Sequence, residues 1–306
     1  MKRDFLSLRD IKGEEEKIIQ AAEILKKRRR EGKRKEKFLN STHWGLLFEK
    51  PSTRTRVSFQ VGIKELGGEA IYLPGTETQL QRGESLADTA RVLSRYLDGL
   101  VVRTYSQERL EELAKYASIP IINALTDLLH PCQILSDLFT IRERKGGWEG
   151  VRIVYLGDGN NVCNSWIIAS EIFQLDLVVS TPSSYSPPLS VLKEKGLITQ
   201  KPILIEDPRE AVKDAEVIYT DVWVSMGDGE KQEELFYPYQ VNSSLLELAR
   251  SDCLVMHCLP AHRGKEITGE VMEGSHSVVW EQAENRLHVG KAILLWVTGK
   301  LEEVLS

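Results

Sequence analysis

The chain of 306 residues has no apolar run that approaches the roughly 20 residues needed to span a bilayer. Its first residues, MKRDFLSLRDIKGEEEK, lack the apolar stretch of a secretory signal and carry too many acids for a transit peptide. The four cysteines form no CxxC pair, which excludes a disulfide scaffold and is typical of free thiols in a reducing compartment. We therefore expect a cytoplasmic protein that does not bind membranes.

An excess of positive charge is also lacking, since 40 Lys and Arg face 45 Asp and Glu, a net charge of −5. Residues 26–37 (KKRRREGKRKEK) are the exception, and basic runs of this kind occur in nucleic-acid-binding proteins. However, no aromatic side chains interleave with these bases to stack on nucleotides. The apolar stripe of Ile18, Ile19, Ala22 and Leu25 instead predicts a helix whose exposed C-terminal end carries the bases. We expect no nucleic-acid partner; tight RNA binding at physiological salt would revive that alternative.

Short β-rich runs alternate with amphipathic helical patterns along the chain, which is typical of parallel sheets flanked by helices. The predicted strands cover residues 44–48, 70–73, 99–103, 120–124, 151–156, 176–180, 203–205, 216–220, 253–257 and 277–279. The Gly146-Gly147 step after a long helical pattern marks the expected boundary between two α/β domains. We expect one domain over residues 1–147 and a second over 148–283. A C-terminal helix, about 284–306, is expected to pack back on the first domain.

Unusual polar residues follow several predicted strands at their carboxyl ends, where open α/β sheets bind their ligands. Ser-Thr-Arg-Thr-Arg follows the first strand, Arg103 ends the third, and Asp221 follows the strand over 216–220. Since the carboxyl ends of parallel strands lie on one side of a sheet, two such domains facing each other would form one polar cleft. The active site is expected in that cleft.

The segment Ser52-Thr53-Arg54-Thr55-Arg56 stands between a strand and an amphipathic helix. Helix N-terminal N–H groups, hydroxyls and guanidiniums can all bind one phosphate there. A plainer alternative is that Ser52 is only an N-cap and the arginines are surface charges. Two arginines in one turn favour the phosphate site.

His130-Pro131-Cys132-Gln133 places a proline at the first turn of a helix, where its missing N–H costs nothing. A histidine at this position is often only a cap. Together with Arg103, His130 is also suited to polarising a carbonyl. The Gln133 amide is suited to forming a hydrogen bond with a neighbouring NH₂ group.

Gly157-Asp158-Gly159-Asn160-Asn161 invites a dinucleotide-binding interpretation, but Val162 replaces the third glycine and residues 178–180 contain no acid for a ribose. The paired asparagines suit a zwitterionic amino acid better, and a plain turn stays open as the alternative. Residues 221–227 (DVWVSMG) offer a carboxylate and a hydroxyl for an ammonium group. Residues 257–260 (HCLP) end a predicted strand with a thiol, although an isolated buried cysteine is usually inert.

Together these motifs resemble the aspartate/ornithine carbamoyltransferase family, on its ornithine branch, over nearly the whole chain. The matching segments are FEKPSTRTRVSF, TQLQRGES, DTARVLSRY, VVRTY, HPCQILSDL, GDGNN, DVWVSMG, HCLPAHRG and EQAENR. The resemblance implies transfer of the carbamoyl group from carbamoyl phosphate to the side-chain amine of L-ornithine, giving L-citrulline and phosphate. It also implies a homotrimer with active sites shared between neighbouring chains; further assembly of trimers stays open. Alternatives are putrescine or an acylated ornithine as acceptor, and a non-catalytic binding protein on the same fold.

The resemblance also implies roles for individual residues. It makes residues 1–147 the carbamoyl-phosphate-binding domain and residues 148–283 the ornithine-binding domain. Carbamoyl phosphate would be bound by Ser52, Thr53, Arg54, Thr55, Gln79, Arg103, His130, Gln133, Cys258, Leu259 and Arg286, with Gln79 reaching a neighbouring chain's site. Ornithine would be bound by Asn161, Asp221, Ser225 and Met226. The catalytic residues would be Arg103, His130, Asp221 and Cys258. We expect no metal and no organic cofactor, because phosphate is a good leaving group and no His/Cys group has metal-ligand spacing.

Overall fold

The computed structural model describes residues 2–224 and 229–306, and the chain divides into two units. Unit 1 comprises residues 1–139 and 284–306, and unit 2 comprises residues 140–283. The division between the units falls within the continuous helix Pro131–Lys145, and the Gly146-Gly147 step follows this helix. None of the helices in the described ranges is both long and apolar enough to cross a membrane.

Unit 1 is built on a four-stranded parallel sheet in the order β2-β1-β3-β4. Its strands are β1 His43–Phe48, β2 Glu69–Pro74, β3 Gly99–Arg103 and β4 Ile121–Leu125. Its helices are α1 Glu15–Arg30, α2 Thr53–Glu65, α3 Leu86–Leu93, α4 Gln107–Tyr116 and α5 Pro131–Lys145. The last of these continues into unit 2. Short 3-10 helices cover Leu8–Ile11, Gly75–Glu77 and Gln79–Arg82. The inner strand β3 is buried along its length, as expected for a parallel strand covered on both faces.

Unit 2 is built on a five-stranded parallel sheet in the order β7-β6-β5-β8-β9. Its strands are β5 Arg152–Leu156, β6 Asp176–Ser180, β7 Ile203–Leu204, β8 Val217–Thr220 and β9 Leu254–His257. Its helices are α6 Asn161–Phe173, α7 Leu189–Glu194, α8 Pro208–Ala211, α9 Ser243–Leu246 and α10 Gly269–Met272, with 3-10 helices over Ser183–Tyr185 and Glu233–Tyr239. The chain leaves β5 towards β6 on one side and later returns to β8 on the other. This reversal is where open α/β sheets bind their ligands.

The C-terminal part of the chain is helical, with α11 over Val279–Val297 and α12 over Glu302–Leu305. The strand predicted over residues 277–279 is wrong. Ser277 forms only an isolated bridge with Val255, and Val279 already begins α11. Such a short apolar run cannot be told from the first turn of a buried helix by periodicity.

In unit 1, Glu65 accepts hydrogen bonds from Arg29 and Lys291, each at 2.9 Å, and so joins α1, α2 and α11. Burial raises the pKa of Glu65, but the hydrogen bonds from Lys291 and Arg29 outweigh burial and leave that pKa below its ordinary value. The first and last parts of unit 1 are therefore joined by a charged carboxylate.

Gly99 begins β3 against the ring of Trp44, and a Cβ added there would lie 2.3 Å from that ring. Trp44 is fully buried, so the ring has no room to move away. We expect Gly99→Ala to destabilise the protein by about 1–3 kcal/mol through overpacking. Urea denaturation at a fixed protein concentration measures the change. Gly147→Ala is the matched control, because nothing lies within 4 Å of its added Cβ; equal midpoints for the two variants would contradict the close contact.

Candidate functional site

In unit 1, the Ser-Thr-Arg-Thr-Arg segment forms the start of α2. Ser52 is the N-cap, and its hydroxyl accepts a hydrogen bond from the Thr55 backbone N–H at 3.3 Å. The two arginines of this turn differ in their surroundings. Arg56 is exposed and lies over the Tyr72 ring at 4.2 Å, whereas Arg54 Nε is buried and makes no hydrogen bond within the described residues. A buried donor of this kind requires an acceptor. The turn therefore combines a capped helix N-terminus with a guanidinium suited to an anion.

The start of α2 is connected to the far end of the sequence by Arg286 of α11, which donates from Nη2 to Thr55 Oγ1 at 2.5 Å. Arg103 at the end of β3 and His130 before α5 lie in the same unit, and all four side chains are buried. Burial, followed by the charges of Arg286 and Arg103, holds the pKa of His130 well below its usual value. His130 is therefore neutral at physiological pH, with one ring nitrogen as donor and one as acceptor.

On the first turn of α5, Gln133 Nε2 donates to Asp137 Oδ1 at 2.8 Å, and Gln133 Oε1 is buried without a hydrogen-bond partner among the described residues. An amide held in this way presents its oxygen as a hydrogen-bond acceptor, which is the group needed to bind an NH₂. The Cys132 thiol donates to the Asn123 carbonyl at 3.2 Å, and burial raises its pKa to about 12. Cys132 is therefore an inert packing residue.

Glu49 was not identified from the sequence, although it links two parts of the unit 1 site. Its carboxylate accepts hydrogen bonds from Arg109 Nη2 at 2.6 Å and from Nε at 3.3 Å, and also from the Thr104 hydroxyl. Its backbone N–H donates to the Arg103 carbonyl at 2.8 Å. Glu49 therefore holds the chain just before Ser52 against the end of β3. An acid between a strand end and the Ser-Thr-Arg-Thr-Arg motif is the sequence signal that would have found it.

In unit 2, Asp221 after β8 lies at the centre of a hydrogen-bonded chain. The Cys258 thiol donates to Asp221 Oδ1 at 2.9 Å, and Asn160 Nδ2 donates to Asp221 Oδ2 at 2.8 Å. Asn160 also caps α6, because its Oδ1 accepts from two backbone N–H groups of the first turn and from the Tyr155 hydroxyl at 3.1 Å. Asn160 therefore orients the carboxylate. The sequence drew attention to the asparagine pair, but only Asn161 was assigned a role.

His257 at the end of β9 fixes the backbone that carries Cys258 and Leu259. Its Nε2 lies 3.0 Å from Glu266 Oε1, and its Nδ1 accepts the Leu259 N–H at 2.8 Å, which places the ring proton on Nε2. Burial raises the pKa of Glu266, but the hydrogen bond from His257, followed by backbone N–H groups, outweighs burial and leaves that pKa lowered. Ligand atoms of Asp221, His257 and Cys258 lie within 4.8 Å of one another, as a metal site would require. However, both His257 nitrogens are already engaged, so a cation would have to break an existing contact.

The predicted site residues fall into two groups. Unit 1 brings together Ser52, Thr53, Arg54 and Thr55 on α2 with Arg103, His130, Gln133 and Arg286. Unit 2 brings Asp221 to Cys258, with Leu259 beside them and the half-buried Asn161 at the start of α6. Gln79 is exposed at the start of the 3-10 helix Gln79–Arg82 and lies in neither group. Ser225 and Met226 lie outside the described residues.

Comparisons with known proteins cover both units. The family model "Aspartate/ornithine carbamoyltransferase, carbamoyl-P binding domain" matches residues 3–143, and "Aspartate/ornithine carbamoyltransferase, Asp/Orn binding domain" matches residues 149–297. The chain is 48% identical over 298 residues to ornithine carbamoyltransferase of Methanoculleus marisnigri, with 96% of each chain covered. It is 52% identical over 300 residues to that of Oceanobacillus iheyensis, covering 95% of this chain and 93% of the relative. The solved structure of ornithine carbamoyltransferase from Pyrococcus furiosus has a TM-score of 0.91 at 48% identity, covering 97% of each chain.

The lowered pKa of His130 predicts that its imidazole is still neutral in the folded protein at about pH 6.5, where an ordinary histidine is half protonated. In the unfolded chain the same group takes up a proton near pH 6.5. Its contribution to stability is therefore complete above that pH and is lost as the pH falls below it. Nitrogen NMR of histidine-labelled protein measures the protonation state, with the His130→Gln variant assigning the signal. The urea-unfolded protein is the control, and titration of the folded signal near pH 6.5 would contradict the burial of this ring.

Proposed function

The chain belongs to the aspartate/ornithine carbamoyltransferase family, and we propose that it transfers the carbamoyl group of carbamoyl phosphate to the side-chain amine of L-ornithine, giving L-citrulline and phosphate. The observation that carries the choice of acceptor is the Asp221 carboxylate. It is buried, and its hydrogen-bond donors within residues 2–224 and 229–306 are the Asn160 amide and the Cys258 thiol. A buried carboxylate without a cationic donor is suited to binding an ammonium group.

The donor substrate is an anion, and we assign it to the groups of unit 1. Ser52, Thr53, Arg54 and Thr55 would bind the phosphate at the N-terminus of α2, where backbone N–H groups and the helix dipole favour negative charge. Arg286 would bind the same phosphate, since it already donates to Thr55.

The carbamoyl group itself is assigned to a second set of donors and acceptors. Arg103 and the neutral His130 would donate to its carbonyl oxygen, and Gln133 Oε1 would accept from its NH₂. Backbone carbonyls of Cys258 and Leu259 would accept the remaining NH₂ hydrogen bonds. A neutral imidazole suits this role because it donates without adding a third cation to a buried arginine pair.

The acceptor must lose a proton before it can attack. A lysine-like amine has a pKa of about 10.4, so only roughly one in 2,500 molecules is neutral at pH 7. Asp221 would accept its proton and Cys258 would help to orient the amine beside that carboxylate, while Asn161, Ser225 and Met226 would bind the amino-acid end of ornithine. The new N–C bond forms a tetrahedral intermediate whose oxyanion is stabilised by Arg103, His130 and Thr55. Cleavage of the C–O bond to phosphate then completes the transfer without a metal or an organic cofactor.

We also propose that the protein is a homotrimer with shared active sites, acting in arginine biosynthesis or degradation in the cytoplasm. Gln79 would enter the site of a neighbouring chain. The exposed position of Gln79 supports this role. The apolar side chains of Ile71 on the edge strand β2 and Val57 on α2 are also exposed, and such residues are suited to burial in a subunit interface.

We expect Arg54→Ala to weaken both carbamoyl phosphate binding and turnover by about an order of magnitude or more, because it removes a charge-assisted donor matched to phosphate. Calorimetric binding of carbamoyl phosphate and steady-state kinetics measure the two effects. Arg56→Ala is the matched control from the same helical turn, since that guanidinium is exposed over Tyr72. Binding as tight as in the wild type would remove Arg54 from the phosphate site.

A panel of amines tests the acceptor. At saturating carbamoyl phosphate, kcat/KM is expected to be about tenfold to 150-fold higher for ornithine than for putrescine, because putrescine leaves Asn161 without the carboxylate it would bind. Aspartate should fail almost entirely, since it would bring a second carboxylate towards Asp221. Asp221→Asn should impair ornithine use far more than carbamoyl phosphate binding. A wild-type preference for putrescine or aspartate would refute the proposed function.

A further inference from the structure

We propose that Lys231 is a positioning residue for the amino-acid acceptor. Its ammonium joins the turn after β5 to the segment after β8, and so fixes Asn161 relative to Asp221. This role rests on the proposed function, in which these two residues bind ornithine. Lys231 itself belongs to none of the motifs that carry the family resemblance.

Two contacts define the connection. Lys231 Nζ lies 2.7 Å from Asp158 Oδ2 and 3.1 Å from the Trp223 carbonyl. Asp158 lies in the turn that follows β5, and Trp223 lies two residues after Asp221. The two strands are direct neighbours in the sheet, with Leu156 paired to Thr220 at their carboxyl ends. One cation therefore spans the gap between adjacent turns at the edge where Asp221 lies.

The Lys231 ammonium also lies over the aromatic ring of Tyr185. It lies 5.6 Å from the centre of the Tyr185 ring, a distance at which a cation is attracted to the π-electrons. The Tyr185 carbonyl accepts the Gly159 N–H at 2.9 Å, and its hydroxyl accepts the Gln232 N–H at 3.0 Å. Tyr185 therefore contacts both the turn after β5 and the residue next to Lys231, which limits the freedom of the ammonium.

Because the Lys231–Asp158 ion pair is mostly buried, its two charges cannot be separated without a large cost. The side chains of Lys231 and Asp158 are 13% and 8% exposed, so both charges have lost most of their water. A buried ion pair contributes little net stability, because desolvation offsets the attraction, yet it penalises any arrangement that separates the charges. The turn after β5 also carries Asn160, which donates to Asp221. Movement of this turn would therefore disturb Asp221 and Asn161 together, while the groups assigned to carbamoyl phosphate in unit 1 would be unaffected.

The test compares Lys231→Met with Lys265→Met. The control residue forms an ion pair with Glu233 at 2.7 Å in the same unit, but the two side chains are 48% and 36% exposed and so keep much more of their water. For Lys231→Met we expect the KM for ornithine to rise about tenfold or more, because small displacements of binding groups are costly. The selectivity for ornithine over putrescine should fall, and the KM for carbamoyl phosphate should change far less, because most of the groups assigned to it lie in unit 1. Lys265→Met should leave all three quantities at wild-type values.

The double variant Asp158→Asn with Lys231→Met separates positioning from the cost of an unpaired buried charge. If its ornithine KM stays raised, the ion pair positions the acceptor. If that KM returns to the wild-type value, the defect of Lys231→Met comes from the uncompensated Asp158 charge and the proposal is wrong. An ornithine KM unchanged in Lys231→Met would also overturn it. The double variant leaves neither buried charge, so it gives the answer even where the single variant does not fold. Wild-type protein that does not use ornithine would refute the proposed function itself.

Discussion

Parallel pairing is the constraint on which the arrangement of both sites depends, because it places every strand's carboxyl end at the same edge of its sheet. In unit 1, Phe48 is paired with Arg103 in register, so the segment that begins at Ser52 starts beside the end of β3. In unit 2, Thr220 is paired with both Leu156 and His257. Residues far apart in sequence meet because their strands end at the same level, and the helices that follow provide capped N-termini at this edge.

The two edges carry opposite charge. Unit 1 contains the guanidiniums of Arg54, Arg103 and Arg286, and burial together with the charges of Arg286 and Arg103 lowers the pKa of His130 and keeps it neutral. In unit 2 the Asp158 carboxylate is paired with Lys231, whereas the buried Asp221 carboxylate accepts only from an amide and a thiol within residues 2–224 and 229–306. Charges removed from water in this way interact strongly with a ligand of opposite sign. This separation matches a donor that is a phosphate and an acceptor that is an ammonium compound.

Sequence patterns predicted the elements well where periodicity and flanking residues agreed. The strands β3 and β6 were predicted at their observed bounds, because an apolar run is closed by a polar residue in each. The failure at residues 277–279 came from a run too short to show a period. Several candidate site residues could be selected from the sequence because they stand directly after predicted strands. The partners of the supporting residues have no local signal, because Asn160 contacts Asp221 across 61 residues and Glu49 contacts Arg109 across 60. Such pairs are decided by strand order, which the sequence leaves open.

The contact between Arg286 and Thr55 joins residues 231 positions apart, and it closes a unit that is discontinuous in sequence. During synthesis on the ribosome, Thr55 emerges long before its partner, whereas residues 140–283 form an uninterrupted segment. The inserted unit can therefore acquire its sheet while the surrounding unit still lacks its last helices. The contact between Arg286 and Thr55 can form only when residues 284–306 leave the exit tunnel. A truncated chain lacking them would retain the Ser-Thr-Arg-Thr-Arg turn but not the arginine that contacts it.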